Sequence, residues 1–332
     1  MKTSDWTVPE LLQLSGDYWA TCALHAGVVL DIFTPLDGTV RSVEEVSSIC
    51  GSDRRATEML LNALCALGLV EKHDGYKTTG FSSRYLVRSS PDYLGHIIRH
   101  HHHLMGGWAM LHESVKSGNP VTESVSHEDS VQIRESFLMG MFNLASQMAP
   151  MVVGAVNLSG RQRLLDLGGG PGSYAIHFCR HNPGLTAVVY DLPTTRTFAE
   201  TTIARFGLSD RIGFVAGDFL SDRLPDGFDA AWLSHVLHSS GTEECGTILG
   251  KATGALQPGG TLLVQEFILN DGKDGPLFPA LFSLNMLLRT DGGQSYSESE
   301  LRIMMHEAGL IDVHRLAVQL PNGAGIMAGT RP

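Results

Sequence analysis

Leu164-Leu165-Asp166-Leu167-Gly168-Gly169-Gly170-Pro171-Gly172-Ser173 is the stretch that decides the fold. An apolar strand pattern runs into a glycine-rich turn, and a helical pattern opens at Ser173. Glycine lets the backbone approach a ligand closely, and the next helix offers its free N–H groups. The spacing narrows the class. A dinucleotide fingerprint wants its third glycine where Ser173 stands, and no Walker lysine follows the turn. Further apolar runs at 186–190, 212–216, 230–233 and 261–269 alternate with helical stretches. That alternation predicts an α/β fold, a parallel sheet with helices on both faces. The end differs: 312–320 and 325–330 read as two strands joined by Pro321-Asn322-Gly323.

Upstream the pattern changes. Residues 7–33 carry Leu11, Leu14, Trp19, Leu24 and Val28 at helical spacing. Ser42 with Glu45 reads as a capping box for a short helix ended by Gly51. Ser52 and Asp53 open a second helix, with Met59, Leu60, Ala63, Leu64 and Leu67 on its apolar face and Gly68 at its end. Asp74-Gly75 between two short β-type runs signals a hairpin. Helix, turn, helix and hairpin together make a winged helix-turn-helix. Residues 93–150 read as more helices, interrupted by a polar stretch at 118–129.

A chain of 332 residues with 43% hydrophobic content can build two cores. Its formal charge of −11 disfavours nucleic acid and anionic membranes as partners. Met1-Lys2-Thr3-Ser4-Asp5 lacks a signal pattern, and no apolar run is expected to span a membrane. Cys22, Cys50, Cys65, Cys179 and Cys245 are scattered, which reads as reduced thiols in a cytoplasmic protein. The histidine run 100–103 tempts a metal reading. Adjacent residues on a helix point apart, so no metal site is expected there.

Two carboxylates follow the next strands. Asp191, in Tyr190-Asp191-Leu192-Pro193, stands about 20 residues past the glycines, where an acidic side chain accepts ribose hydroxyls. Asp218-Phe219, after the third strand, suits an adenine amino group and ring face. His238 closes the fourth strand region and Glu266 the fifth. Ligands bind at the carboxyl ends of strands in such sheets.

With these residues in place, the chain resembles the small-molecule O-methyltransferases related to plant caffeic acid and bacterial polyketide O-methyltransferases. The likeness runs nearly end to end. It is most specific at Asp166 to Gly172, Asp191-Leu192-Pro193, Gly217-Asp218-Phe219, Ser234-His235-Val236-Leu237-His238, and Pro258-Gly259-Gly260 leading to Val264-Gln265-Glu266. The resemblance implies a Rossmann-like class I methyltransferase domain with a mostly parallel seven-stranded sheet, preceded by a mainly α winged-helix dimerisation domain. It implies a dimerisation domain at 1–100, connecting helices lining an acceptor pocket at 101–157, and a catalytic domain at 158–332. The cofactor implied is S-adenosyl-L-methionine, held by Asp166, Gly168, Gly170, Asp191, Leu192, Asp218, Phe219 and Ser234. His238 takes the position of the family's base, with Glu266 to orient its ring. Phe137, Met141, Phe142, Asn285 and Met286 are expected around the acceptor, a small molecule, in a homodimer. Two departures stand out. Ser239-Ser240 replaces the Asp-Trp that follows the histidine in many relatives, and Ser295 stands where relatives often carry a second glutamate.

Rival functions follow from the same features. The scaffold could methylate carbon or nitrogen, or bind the cofactor while hydroxylating, decarboxylating or cyclising. A DNA-binding regulator would rest on Arg54 and Arg55 alone, and would leave the glycine loop without a purpose.

Overall fold

Alternating apolar runs and helices build one seven-stranded sheet in the computed structural model, which describes residues 6–122 and 130–332. Residues 1–5, where a signal pattern was sought, and part of the polar stretch at 118–129 lie outside the described residues. The chain divides into two compact units, Met1–Leu104 and Met105–Pro332.

The first unit begins with α1 (Val8–Gly16) and α2 (Tyr18–Val29), so the single helical run expected from 7 onward is two helices. Thr7 and Glu10 form a capping box for α1, which has no buried residue. Then come α3 (Val43–Cys50), α4 (Arg54–Ala66), the hairpin β1 (Val70–Lys72) and β2 (Tyr76–Thr78), and α5 (Gly80–Tyr85). The Ser42–Glu45 capping box forms, and Gly51 closes α3 at φ 62°. The buried face of α4 is the expected one only in part. Leu64 is buried and Leu60 half-buried against the core as expected, but Thr57 and Leu61 complete the face, while Met59 and Leu67 are exposed. Thr57 is polar by pattern, yet its hydroxyl meets Ser52 Oγ at 2.7 Å and the Asp53 carbonyl at 2.8 Å, so it can be buried. The hairpin turn is three residues long: Lys72 pairs with Tyr76, and His73 N–H donates to the Gly75 carbonyl at 2.8 Å. Arg54 is tied to Glu44.

The second unit carries α7 (Leu111–Ser117) and α8 (Val131–Ala155), after α6 (Gly95–Ala109). By length and mean hydropathy α8 could cross a membrane, an exception to the expectation that no run would. Its Phe142, Ala145, Ala149 and Val152 join the core beneath the sheet. The sheet elements are β3 (Arg163–Leu167), α9 (Ser173–His181), β4 (Thr186–Asp191), α10 (Arg196–Arg205), β5 (Ile212–Ala216), β6 (Phe228–Ser234), α11 (Thr242–Ala255), β7 (Leu256–Phe267), α12 (Leu277–Leu287), α13 (Glu298–Glu307), β8 (Ile311–Arg315) and β9 (Ala324–Thr330). Strand order is β5-β4-β3-β6-β7-β9-β8. The first five run parallel, and β9 lies antiparallel to both β7 and β8. The last strand pair is as expected in kind but shorter, since β8 stops at Arg315.

Successive strand residues face opposite layers. Leu164, Ala230 and Trp232 join α8, α9 and α10 on one face. Leu165, Ala231 and Leu233 join α11 and α13 on the other. Trp232 is the largest fully buried side chain, with ring centroids 5.0 Å from Tyr174 and 5.1 Å from Phe178. Trp232→Ala should therefore cost about 3–5 kcal/mol, chiefly through the cavity it leaves. Urea unfolding should show a lower midpoint with an unchanged slope; an unaltered midpoint would contradict this packing.

Candidate active site

Five parallel strands end along one edge, and each end contributes a polar group. From β3 the chain steps to β4 on one side and later returns to β6 on the other. Loops diverge at such a switch point and leave a crevice.

The glycine loop leaves β3 here. Gly168 has φ 68°, and its N–H donates to the Tyr190 carbonyl at 2.8 Å. A Cβ on Gly168 would stand 2.6 Å from Val236 Cγ2, so only glycine fits. Gly170 differs: an added Cβ would meet only Leu138 Cδ2, at 4.0 Å. Asp166 is buried beneath the loop and accepts from Ala175 N–H at 3.1 Å. Burial, with Asp191 acting in the same direction and the Ala175 N–H against them, leaves its carboxyl pushed up to about 7.

Asp191 ends β4. One carboxylate oxygen accepts from Gly170 N–H at 2.8 Å, the other from Leu192 N–H at 2.7 Å and Thr195 Oγ1 at 3.1 Å. Burial raises its pKa against those three hydrogen bonds. Asp218 follows β5 and accepts from Leu220 N–H at 2.8 Å. The Phe219 ring edge lies beside Gly168. Ser234 ends β6 and donates to Gln265 Oε1 at 3.2 Å.

Beyond β6 the chain turns back toward β7. Glu266, 1% exposed, accepts at Oε1 from the N–H groups of Leu237 (2.8 Å) and His238 (3.3 Å). Its Oε2 lies 2.8 Å from His238 Nδ1. Burial alone would push this carboxyl up. His238 first, then His235, more than offset that and hold it well below the usual range. An ionised carboxylate only accepts, so His238 Nδ1 carries the proton and Nε2 is the ring's acceptor.

His235 completes the group and was not singled out in the sequence, although two histidines three positions apart at one strand end are a visible signal. Its Nδ1 lies 3.6 Å from Glu266 Oε2. Aromatic rings wall the centre. Phe267 lies 4.2 Å from the His235 ring, and Phe282 lies 4.8 Å edge-on from that of His238. These rings too escaped the sequence reading.

Of the expected acceptor residues, Asn285 accepts from Trp108 Nε1–H at 3.1 Å. Met286 is buried on α12, while Phe137 and Met141 are half-buried on α8. Phe142 stands apart: it belongs to the core, 6.0 Å from the Phe206 ring. Ser295 is buried, with a hydroxyl that has no hydrogen-bond partner.

Comparison with known proteins accords with this geometry. A family model for the O-methyltransferase domain matches residues 108–311, and one for the O-methyltransferase dimerisation domain matches 12–88. The chain is 34% identical to 3-hydroxy-5-methyl-1-naphthoate 3-O-methyltransferase of Streptomyces sahachiroi, over 97% of this chain and 94% of that one. It is 31% identical to the tetracenomycin polyketide synthesis 8-O-methyl transferase of Streptomyces glaucescens, over 97% and 96%. The solved structure of an O-methyltransferase family protein from Burkholderia thailandensis superposes with a TM-score of 0.87 at 29% identity, covering 99% of both chains.

The Asp166 carboxyl generates a test. Its folded pKa of about 7 lies above the roughly 4 of an unfolded aspartate. Between those values the folded chain holds the extra proton. The resulting stabilisation is full at low pH and is lost as pH rises through about 7. Asp166→Asn cannot titrate, so its melting temperature should fall less than that of the wild type between about pH 4 and 7. Parallel profiles would mean that Asp166 is ionised throughout.

Proposed function

This chain belongs to the S-adenosylmethionine-dependent O-methyltransferase family, and we propose that it methylates a hydroxyl of an aromatic or polyketide-like small molecule with His238 as general base. The cofactor supplies a methyl group made electrophilic by its sulfonium. The residues at the strand ends fit that group. Asp191 offers a half-buried carboxylate for ribose hydroxyls beside the open face of Gly170, with Leu192 next to it. Asp218 and Phe219 suit adenine, Gly168 and Ser234 border the same crevice, and Asp166 holds the loop from below. Leu138 and its neighbours Phe137 and Met141 on α8, together with Asn285 and Met286, would line the acceptor side.

The observation that carries the base role is the 2.8 Å bond between His238 Nδ1 and a buried, ionised Glu266. It fixes the tautomer and leaves Nε2 able to take a proton. A phenol has a pKa of about 10, so its oxygen attacks better as that proton leaves. The imidazolium so formed stays paired with Glu266. The aromatic walls exclude water and suit a flat acceptor. The naphthoate and tetracenomycin activities of the relatives support that acceptor class. All five thiols are free, which supports a cytoplasmic setting.

We also propose a homodimer through the first unit, as the dimerisation-domain match supports. Val8, Leu12 and Trp19 are 72%, 66% and 70% exposed in a helix pair that covers little of itself. Apolar surface on this scale marks an interface. Light scattering should give twice the chain mass, and Leu12→Asp with Trp19→Asp should halve it. A concentration-independent monomer in the wild type would refute the dimer.

The catalytic reading is tested with isotopically labelled cofactor and a panel of hydroxylated naphthoates and polycyclic polyketides. The product should carry the labelled methyl on oxygen. His238→Ala should lower kcat by about 100- to 10,000-fold. It should leave affinity for S-adenosylhomocysteine nearly intact. Asp191→Ala should weaken that affinity by roughly 10–100-fold, read by calorimetry. Wild-type turnover in His238→Ala across neutral pH would overturn the base role.

A further inference from the structure

We propose that His235, His238 and Glu266 together form a binding site for a borderline transition-metal dication, foremost Zn²⁺, and that its occupation switches the base off. Each residue offers one ligand atom, and these atoms lie within 4.8 Å of one another. Among the described residues this is the cluster with that geometry, and it is distinct from the histidine run at 100–103.

The donor chemistry is specific. Two imidazoles and one carboxylate make an N,N,O set that suits Zn²⁺, Co²⁺ or Ni²⁺, whereas Mg²⁺ prefers all-oxygen coordination. Zinc bonds to nitrogen and oxygen of about 2.0–2.2 Å place neighbouring ligand atoms roughly 3.3 Å apart in a tetrahedron. His235 Nδ1 already stands 3.6 Å from Glu266 Oε2, and His238 Nδ1 stands 2.8 Å from the same oxygen. Small movements bring all three to bonding distance. Three protein ligands also leave a fourth position for water or acceptor oxygen.

His235 is the part that methyl transfer does not explain. It sits at φ 57°, in the left-handed region. Both of its ring nitrogens are buried, Nε2 with no hydrogen-bond partner and Nδ1 with only the long 3.6 Å approach to Glu266 Oε2, and the ring rests on Phe267. A residue held this way at a site is a mark of a ligand clamp. Simple packing against Phe267 would be met better by an apolar ring.

The consequence for catalysis follows from proton balance and rests on His238 being the base. A metal on Nδ1 of His238 replaces its hydrogen bond to Glu266, and the displaced proton moves to Nε2. The neutral ring then has no free lone pair for the acceptor's proton.

Binding is measured without any acceptor, so failure of the metal site and failure of the methyl-transfer reading are separable. Metal-free full-length protein is titrated calorimetrically with Zn²⁺ and, separately, with Mg²⁺. Zn²⁺ should bind one equivalent per chain at this site and Mg²⁺ none. His235→Phe keeps the ring packing and removes a ligand. It should weaken that binding by more than the about 10–100-fold that losing a ligand's hydrogen-bond partner costs. His102→Ala should leave it unchanged. Co²⁺ added to the wild type gives a control independent of any variant: visible d–d absorption that one equivalent of Zn²⁺ abolishes. Equal Zn²⁺ affinity in His235→Phe, or no Co²⁺ spectrum in the wild type, would overturn the site. Zn²⁺ binding with undiminished turnover of the labelled methyl would overturn the switch.

Discussion

A carboxylate with 1% of its surface exposed must be matched group for group, and the matching of Glu266 organises this enzyme's centre. Its partners come from the segment that leaves β6: the N–H groups of Leu237 and His238 and the His238 ring. The charge on β7 therefore draws the exit of the neighbouring strand into a turn across the sheet edge. Without that anchor, the imidazole would keep only its edge-on packing against Phe282 and lose the hydrogen bond that fixes its tautomer. An apolar or misplaced side chain at 266 would leave buried N–H groups unmatched, a penalty of about 1–3 kcal/mol for each.

The carboxylates along this edge are pushed in opposite directions. Glu266 gains two backbone donors and two imidazoles and is held ionised. Asp166 has one backbone donor and a second carboxylate nearby, and burial prevails. Environment alone sorts chemically similar groups into different protonation behaviour within one site. Asp191 is raised as well: burial pushes it up, while three donors oppose the rise.

Much of this was legible in the residues, for physical reasons that can be named. The glycine loop is legible because few side chains tolerate its contacts: Gly168 abuts Val236, and Gly169 abuts the Asp166 carboxyl. Strand ends are legible because buried parallel strands are unbroken apolar runs, so Asp191 and Glu266 stand out where those runs stop. The face of α4 was misread because Thr57 buries a satisfied hydroxyl, which a hydrophobicity pattern counts as polar. Phe142, expected at the acceptor with Phe137 and Met141 of the same helix, packs in the core, because an apolar pattern does not distinguish a ring that fills a core from one that faces a ligand. The paired histidines at 235 and 238 are visible in the sequence, but that both reach Glu266 is not. It depends on a left-handed backbone residue just past β6, and no periodicity encodes that.

The contact between Gly168 and Val236 has a bearing on how sequences of this fold can diverge. The loop after β3 and the turn after β6 touch at a place with no room for one more carbon. A side chain at 168 could be accommodated only if 236 shrank, and the left-handed φ at 168 would still disfavour it. The two positions are thus a constrained pair, one fixed as glycine and the other capped in size. Drift that enlarges the residue at 236 would press on the crevice from the far side. The size allowed in the histidine-bearing turn is then set partly by a loop more than sixty residues earlier, a steric limit between segments that share no chemistry.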